Sequence, residues 1–219
     1  DYMDLVLNDL NNGYYGSGKA NLGSKGDFVT SPSMSDDFAF LLSKQIYEWL
    51  IQVKSQSIFD DKLSVIEFGA GDGSLMSGLL EYFFNNDKKI LKNVSFIIIE
   101  PNKGMINKQQ EKLEKYLKLG IDILWRCLED LEDRSLNGVV LANEVLDALP
   151  VERIINLKGK MQRQGVSIDK KSGRLFFEEI PITPELEKSI AAAQEKLDIN
   201  IPPKYAPEGW TTEWHIDNK

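Results

Sequence analysis

One cysteine and one histidine in 219 residues remove several chemistries at once. Cys127 alone cannot form an internal disulfide, and a chain without disulfides is expected in a reducing compartment. His215 has no cysteine or second histidine near it in sequence, so a zinc site or a histidine-based triad lacks its residues and no metal is expected. No apolar run reaches the roughly 18 residues of a membrane span. The chain does not start with a basic region followed by an apolar one, so no secretory leader is expected. Positive charge is also in short supply: 26 Lys and Arg stand against 34 Asp and Glu, for a net charge of −8. Basic pairs such as Lys88-Lys89 are short and lie beside Asp87. Nucleic acid needs clustered cations to neutralise phosphate, so no nucleic-acid partner is expected; the acidic balance instead favours a cationic substrate.

A hydrophobic content of 42% is enough for a full core, and no internal repeat divides the chain. Residues 1–32 read as an N-terminal segment whose loop, from 11 onward, carries Tyr14, Tyr15 and Phe28 and should pack on core or ligand like a lid. Residues 33–150 read as a Rossmann-like core. A helix begins near Ser33 to Ser35, with Asp36 and Asp37 suited to its dipole and Phe38, Leu41, Leu42, Trp49, Leu50 and Val53 forming an apolar stripe. Strand and helix then alternate: Leu63 to Phe68, helix from Ser74 to Phe84, Val94 to Glu100, helix from Asn102 to Leu119 with Gly120 at its end, Ile121 to Trp125, and Gly138 to Ala142. The strands are continuously apolar, which predicts a buried parallel sheet covered by helices, the α/β class. Residues 151–219 change style. Val151 to Leu157, Met161 to Ile168 and Leu175 to Ile180 form a β-meander, followed by a helix with Thr183 as N-cap and Pro184 at its first position, then a turn-rich tail. A doubly wound sheet would continue with strands beyond the fourth, and their absence predicts a truncated chain.

The segment Val65-Ile66-Glu67-Phe68-Gly69-Ala70-Gly71-Asp72-Gly73-Ser74 reads as a strand running through a glycine loop into a helix. Glycines at 69, 71 and 73 let a ligand approach the backbone, and the helix start offers free N–H groups. A dinucleotide site wants Gly-x-Gly-x-x-Gly, and here the third glycine falls one place early. Glu67, two residues before Gly69, would repel a pyrophosphate but suits the cationic methionine end of S-adenosylmethionine. A nicotinamide-dependent oxidoreductase and a structural turn stay open beside the methyl-donor reading.

Glu100 closes the second strand about 29 residues after Gly71, where a carboxylate can accept both hydroxyls of a ribose. Glu129 and Asp130, after the third strand, are candidates for the adenine amino group, with a plain surface loop as the alternative. After the fourth strand comes Ala142-Asn143-Glu144-Val145-Leu146-Asp147-Ala148-Leu149-Pro150. Its apolar residues should draw Asn143, Glu144 and Asp147 into a partly buried site bordering the cofactor. There Asn143 could touch the cofactor, while Glu144 and Asp147 could hold a guanidinium and take up its proton.

Four ordered stretches together resemble the MidA family: Gly13-Tyr14-Tyr15, Gly26-Asp27-Phe28-Val29-Thr30-Ser31-Pro32, the loop from Glu67 to Met76, and Ala142 to Pro150. The resemblance implies a class I methyltransferase fold and S-adenosylmethionine as donor, leaving S-adenosylhomocysteine. For mitochondrial members it implies symmetric dimethylation of an arginine on a complex I subunit, hence a protein partner with an exposed arginine. It places Tyr14, Tyr15, Asp27, Phe28, Thr30, Ser31 and Pro32 on the substrate or lid side. The chain departs from the pattern at Ala70, Pro101 and Val145-Leu146, none of which removes a proposed ligand group. Members look nearly twice as long as this chain. The expected compartment is the bacterial cytoplasm, or the mitochondrial matrix in a eukaryote. A small-molecule methyltransferase and a non-catalytic assembly module on the same fold stay open, and oligomeric state is not readable.

Overall fold

The computed structural model describes residues 2–23, 25–30, 35–56, 62–133 and 136–215. Its contacts divide the chain into two compact units. One runs from Val6 to Ala148; the other takes the chain from Leu149 onward together with the first residues up to Leu5. A short helix, α1 (Tyr2–Asn8), begins the chain and was not anticipated from sequence.

Within the first unit, α2 (Asp36–Gln56) precedes β1 (Leu63–Phe68), α3 (Ser74–Asn86), the one-turn α4 (Lys88–Asn93) and β2 (Val94–Ile99). Then come α5 (Lys103–Lys118), β3 (Ile123–Arg126) and β4 (Gly138–Ala142). The four strands form a parallel sheet in the order β3-β2-β1-β4. Successive strands step to one side of β1, then β4 joins on its other side. That reversal is the switch point where open α/β sheets bind ligands, at the carboxyl ends of the strands.

Side chains alternate between two faces, as the period of a strand requires. Leu63, Val65, Phe96, Ile98, Ile123, Val139 and Leu141 join the main core with Leu75, Leu79 and Phe83 of α3 and Leu113 and Tyr116 of α5. Ile66, Ile97 and Ile99 form a smaller cluster on the other face, with Phe68, Leu124, Leu131 and Leu136 packed against it. Most of the stripe expected on α2 faces the core: Leu50 is buried, and Phe38, Leu42 and Val53 pack against the cluster. The fully buried residues of the helix are Ala39, Ser43, Ile46 and Leu50, a 4-3-4 spacing, whereas Leu41 and Trp49 are exposed. The cause is Gly78 on α3: a Cβ there would stand 2.4 Å from that of Ala39, so the two helices meet at their smallest residues. The helix expected to end at Phe84 runs on to Asn86, and Asp87 caps α4 by accepting from the Lys89 N–H.

In the second unit, β5 (Glu152–Leu157), β6 (Lys160–Ile168) and β7 (Leu175–Ile180) form the expected meander, followed by α6 (Pro184–Leu197). Thr183 Oγ1 accepts the Leu186 N–H at 3.3 Å, the predicted N-cap. The tail read as turns contains a further strand, β8 (Thr211–Trp214), which pairs antiparallel with β5 and gives the order β7-β6-β5-β8. Leu186 and Ile190 of α6 pack on Ile154, with Met161, Ile182 and Trp214 around them.

Candidate functional site

Strand register places the candidate residues at one level. Phe68 pairs with Ile99 and with Ala142, and Ile99 pairs with Arg126. The next residue along each strand is therefore Glu100, Gly69 or Asn143, with Cys127 beyond Glu100. The Gly69 N–H donates to Ile99 O and the Glu100 N–H to Arg126 O, both at 3.0 Å, so the ladder holds to this edge. With strands about 4.8 Å apart, Gly69 lies between Glu100 and Asn143, roughly one strand spacing from each.

Gly69, Gly71 and Gly73 have φ of 56°, 55° and 84°, left-handed values that favour glycine. A Cβ on Gly69 would stand 3.4 Å from Val145 Cγ2, and one on Gly71 would stand 3.0 Å from Leu22 Cδ1. The loop after β4 and the N-terminal segment therefore both close on the glycine loop. Asp72 turns it into α3 by accepting the Ser74 N–H at 3.0 Å. Lys112 of α5 clamps it further, with Nζ 2.5 Å from Asp72 Oδ2 and 2.6 Å from Ser74 Oγ. Burial works to raise Asp72, but Lys112 and Ser74 outweigh it and hold the carboxyl below its usual range.

Glu67 shares the strand face of Leu63 and Val65 and is only 3% exposed. Burial, reinforced by the Asp72 charge and opposed by the Met76 N–H, pushes its pKa up to about 8. Its Oε2 finds no hydrogen-bond partner among the described residues. A buried polar atom left in that state is costly and suits a donor brought by a ligand.

Glu100 is also buried. Its Oε1 accepts the Asn102 N–H at 3.0 Å and its Oε2 accepts from Gln109 Nε2 at 3.1 Å. Burial raises its pKa, and those two donors work against the rise. Gln109 was not among the sequence candidates. It is fully buried on α5, and Nε2 also donates to Gly71 O at 2.9 Å while Oε1 accepts from Trp125 Nε1 at 2.9 Å. The signal was present: Met105, Gln109, Leu113 and Tyr116 form the buried stripe of α5, and glutamine is the one amide among them.

The N-terminal segment is ordered by its own bonds. Tyr14 Oη donates to Asp27 Oδ2 at 2.8 Å, and the Tyr14 ring meets Tyr15 and Phe28 edge-on at 4.9 and 5.9 Å. Burial and the Asp27 bond push Tyr14 up to about 12. Lys108 of α5 donates to Ala20 O at 2.5 Å, and Gly104 lets α5 approach Gly18 backbone to backbone, since a Cβ there would stand 2.2 Å from Gly18 N. Tyr15 is half-buried; burial raises its pKa first, then the charges of Asp147 and Glu100. One ring thus lies in the field of both acids. Asp27 and Phe28 are exposed and Thr30 is half-buried, while Ser31 and Pro32 lie outside the described residues.

After β4, Asn143 is half-buried and Glu144 takes a left-handed φ of 52°, unusual for a residue with a side chain. Glu144 and Asp147 are exposed, and Leu146 is 80% exposed, so the expected burial of these acids by their apolar neighbours does not occur. Val145 is half-buried and packs onto Gly69. Glu129 and Asp130 are exposed in a 3-10 turn, Leu128–Asp130, after β3. Asp130 Oδ2 already accepts the Cys127 N–H at 3.0 Å. Among the described residues, no three His, Cys, Asp or Glu side chains are grouped to hold a metal, and no helix is long and apolar enough to cross a membrane.

This geometry agrees with what the chain is similar to. Residues 41–219 match the family model described as "Putative S-adenosyl-L-methionine-dependent methyltransferase". The human mitochondrial protein arginine methyltransferase NDUFAF7 is 29% identical, over 93% of this chain and 49% of its own length. The zebrafish (Danio rerio) protein of that name is 30% identical, over 81% of this chain and 45% of its own length. A protein of Burkholderia thailandensis solved with S-adenosyl-homocysteine bound superposes with a TM-score of 0.71 at 29% identity, covering 99% of this chain and 51% of that one. This chain spans about half the length of the curated relatives it matches. On the family match and the motifs at the carboxyl edge of its sheet, the chain belongs to the MidA family of S-adenosylmethionine-dependent methyltransferases.

Proposed function

We propose that the edge formed by Gly69, Glu100 and Asn143 binds S-adenosylmethionine and that the protein methylates an arginine of a protein acceptor. The observation that carries this reading is the common level of those three residues at the switch point of the sheet. Its residues fit the group. Gly69 and Gly71 offer a backbone cradle that a side chain would fill, and Glu67 Oε2 is a buried atom without a partner among the described residues, where an ammonium would favour the carboxylate and release the proton that burial retains. Glu100 is oriented by donors from Asn102 and Gln109, and a carboxylate has capacity to accept further hydrogen bonds from a ribose. The ligand of the Burkholderia relative supports the same donor, and the names of the human and zebrafish relatives support arginine as the acceptor.

When bound, S-adenosylmethionine supplies an electrophilic methyl group on a sulfonium centre. The task left to the chain is alignment and charge management. Glu144 and Asp147, exposed after β4, are free to meet a guanidinium from outside and hold it in a bidentate grip. One of them takes the proton that the nitrogen loses, and Asn143 orients the nitrogen from the strand end. Glu129, with Asp130 holding its turn, faces the adenine amino group. Tyr14, Tyr15, Asp27, Phe28 and Thr30 form the lid that excludes water. In a eukaryotic cell the acceptor would be a complex I subunit in the mitochondrial matrix; in a bacterium the reaction would take place in the cytoplasm.

The test is transfer of labelled methyl groups from S-adenosylmethionine to arginine-containing peptides, with products read by mass spectrometry. Methylated arginine is the expected product. Label confined to lysine or to a small molecule contradicts the arginine reading.

A further inference from the structure

We propose that Gln109, oriented by Trp125, is a positioning residue that sets Glu100 and the Gly71 peptide together and so makes the site selective for a ligand with an intact ribose diol. This rests on the methyl-donor reading of the same crevice.

The hydrogen-bond inventory leaves one arrangement. An indole N–H can only donate, so the amide oxygen of Gln109 must face Trp125 Nε1, 2.9 Å away. Its Nε2 then points at two groups that can only accept, Gly71 O at 2.9 Å and Glu100 Oε2 at 3.1 Å. Both amide hydrogens are used. A flipped amide would set its oxygen against a carboxylate and a peptide carbonyl, and Gln109 is fully buried, so water cannot relieve that clash.

Two consequences meet at Glu100. The Asn102 N–H donates to one of its oxygens and Gln109 to the other, with the Asn102 side chain as a further donor, which fixes the plane of the carboxylate. Two acceptors held side by side match vicinal hydroxyls and no single hydroxyl equally well. The same amide ties down the carbonyl of Gly71, whose left-handed backbone forms the cradle. One side chain therefore couples the loop that receives the ligand to the acid that selects it. Without Gln109, burial would push Glu100 toward its protonated form with one opposing donor fewer.

The experiment compares S-adenosylhomocysteine with its 2′-deoxy analogue by calorimetry on the wild-type chain, Gln109→Leu and Trp125→Phe. The wild type should prefer the ribose ligand by about tenfold or more, the scale of one hydrogen bond to a charged group. Gln109→Leu should weaken both ligands through the Gly71 cradle, and the ribose ligand by about tenfold more, so the preference collapses. Trp125→Phe keeps a ring but removes the N–H that orients the amide. It should narrow the preference, and it carries the test if Gln109→Leu does not fold. Equal weakening of both ligands, or an intact preference in the variants, means a structural role only and overturns the inference while leaving the donor reading in place. A wild type that binds neither ligand overturns the donor reading and this inference with it.

Discussion

Val145 closes over Gly69, its Cγ2 3.4 Å from the point where a Cβ on that glycine would stand. The two residues belong to the loops after β4 and β1, so the glycine cradle and the acid-bearing segment pack against each other. Gly69→Ala forces a side chain onto a left-handed backbone at a cost of about 1–2 kcal/mol and brings it into contact with Val145. We expect a lower melting temperature together with weaker donor binding. A variant that binds S-adenosylhomocysteine as the wild type does would show that the two loops are not coupled.

Glu67 links stability to pH in a direction opposite to most carboxylates. Its pKa is about 8 in the folded protein against 4.5 for the ordinary group, so the folded state holds a proton that the unfolded chain releases. The Glu67 contribution therefore favours folding fully below about pH 4.5, declines as pH rises to about 8, and is lost above that. Glu67→Gln removes this decline, leaving a variant more stable than wild type at pH 8 by an amount on the order of a few kcal/mol. Urea midpoints at pH 5 and pH 8 check it: the gap between variant and wild type should widen with pH. A gap that stays constant contradicts a buried, protonated Glu67.

Donor binding and methyl transfer should separate at Asp147. It is exposed beyond β4 and assigned to the acceptor, so Asp147→Asn should leave S-adenosylhomocysteine affinity within about twofold. Methyl transfer should fall by about 100-fold, the scale of a lost general base. Loss of donor affinity in this variant would move Asp147 to the cofactor side.

A change in the second unit should stay there. Thr183→Ala removes the Oγ1 bond to the Leu186 N–H and should cost about 1 kcal/mol of stability, with donor affinity unaltered. Urea titration followed by calorimetry reads both. A parallel loss of affinity would mean that α6 supports the donor site.

Much of this was legible from local pattern. Leu63–Phe68, Gly138–Ala142, Leu175–Ile180 and the helix capped by Thr183 have the predicted limits, because continuous apolar runs and capping residues act within a few positions. The strand Thr211–Trp214 was missed because Pro and Gly dominate the stretch before it, and it exists through pairing with Glu152 to Ile155, far away in sequence. The face of α2 was legible in part: Phe38, Leu42, Leu50 and Val53 do pack on the core, whereas the close approach of Gly78 to Ala39 is set by a helix distant in sequence and leaves Leu41 and Trp49 outside. At the site, the glycines and Glu100 were readable as a motif at strand ends. The place of Gln109 on the buried stripe of α5 was readable, but its role was not, because its partners, Gly71, Glu100 and Trp125, converge only in three dimensions. The exposure of Glu144 and Asp147 was also misread, since apolar neighbours in sequence do not bury a residue when, as with Leu146, they face solvent themselves.

The measurement that bears most directly on the central claim is calorimetric titration of this chain with S-adenosylhomocysteine, alongside Gly71→Arg, which fills the cradle at the point where Leu22 already stands 3.0 Å from a built Cβ. The account predicts saturable binding by the wild-type chain and none by the variant. Binding that survives Gly71→Arg, or no binding by the wild-type chain, would contradict it.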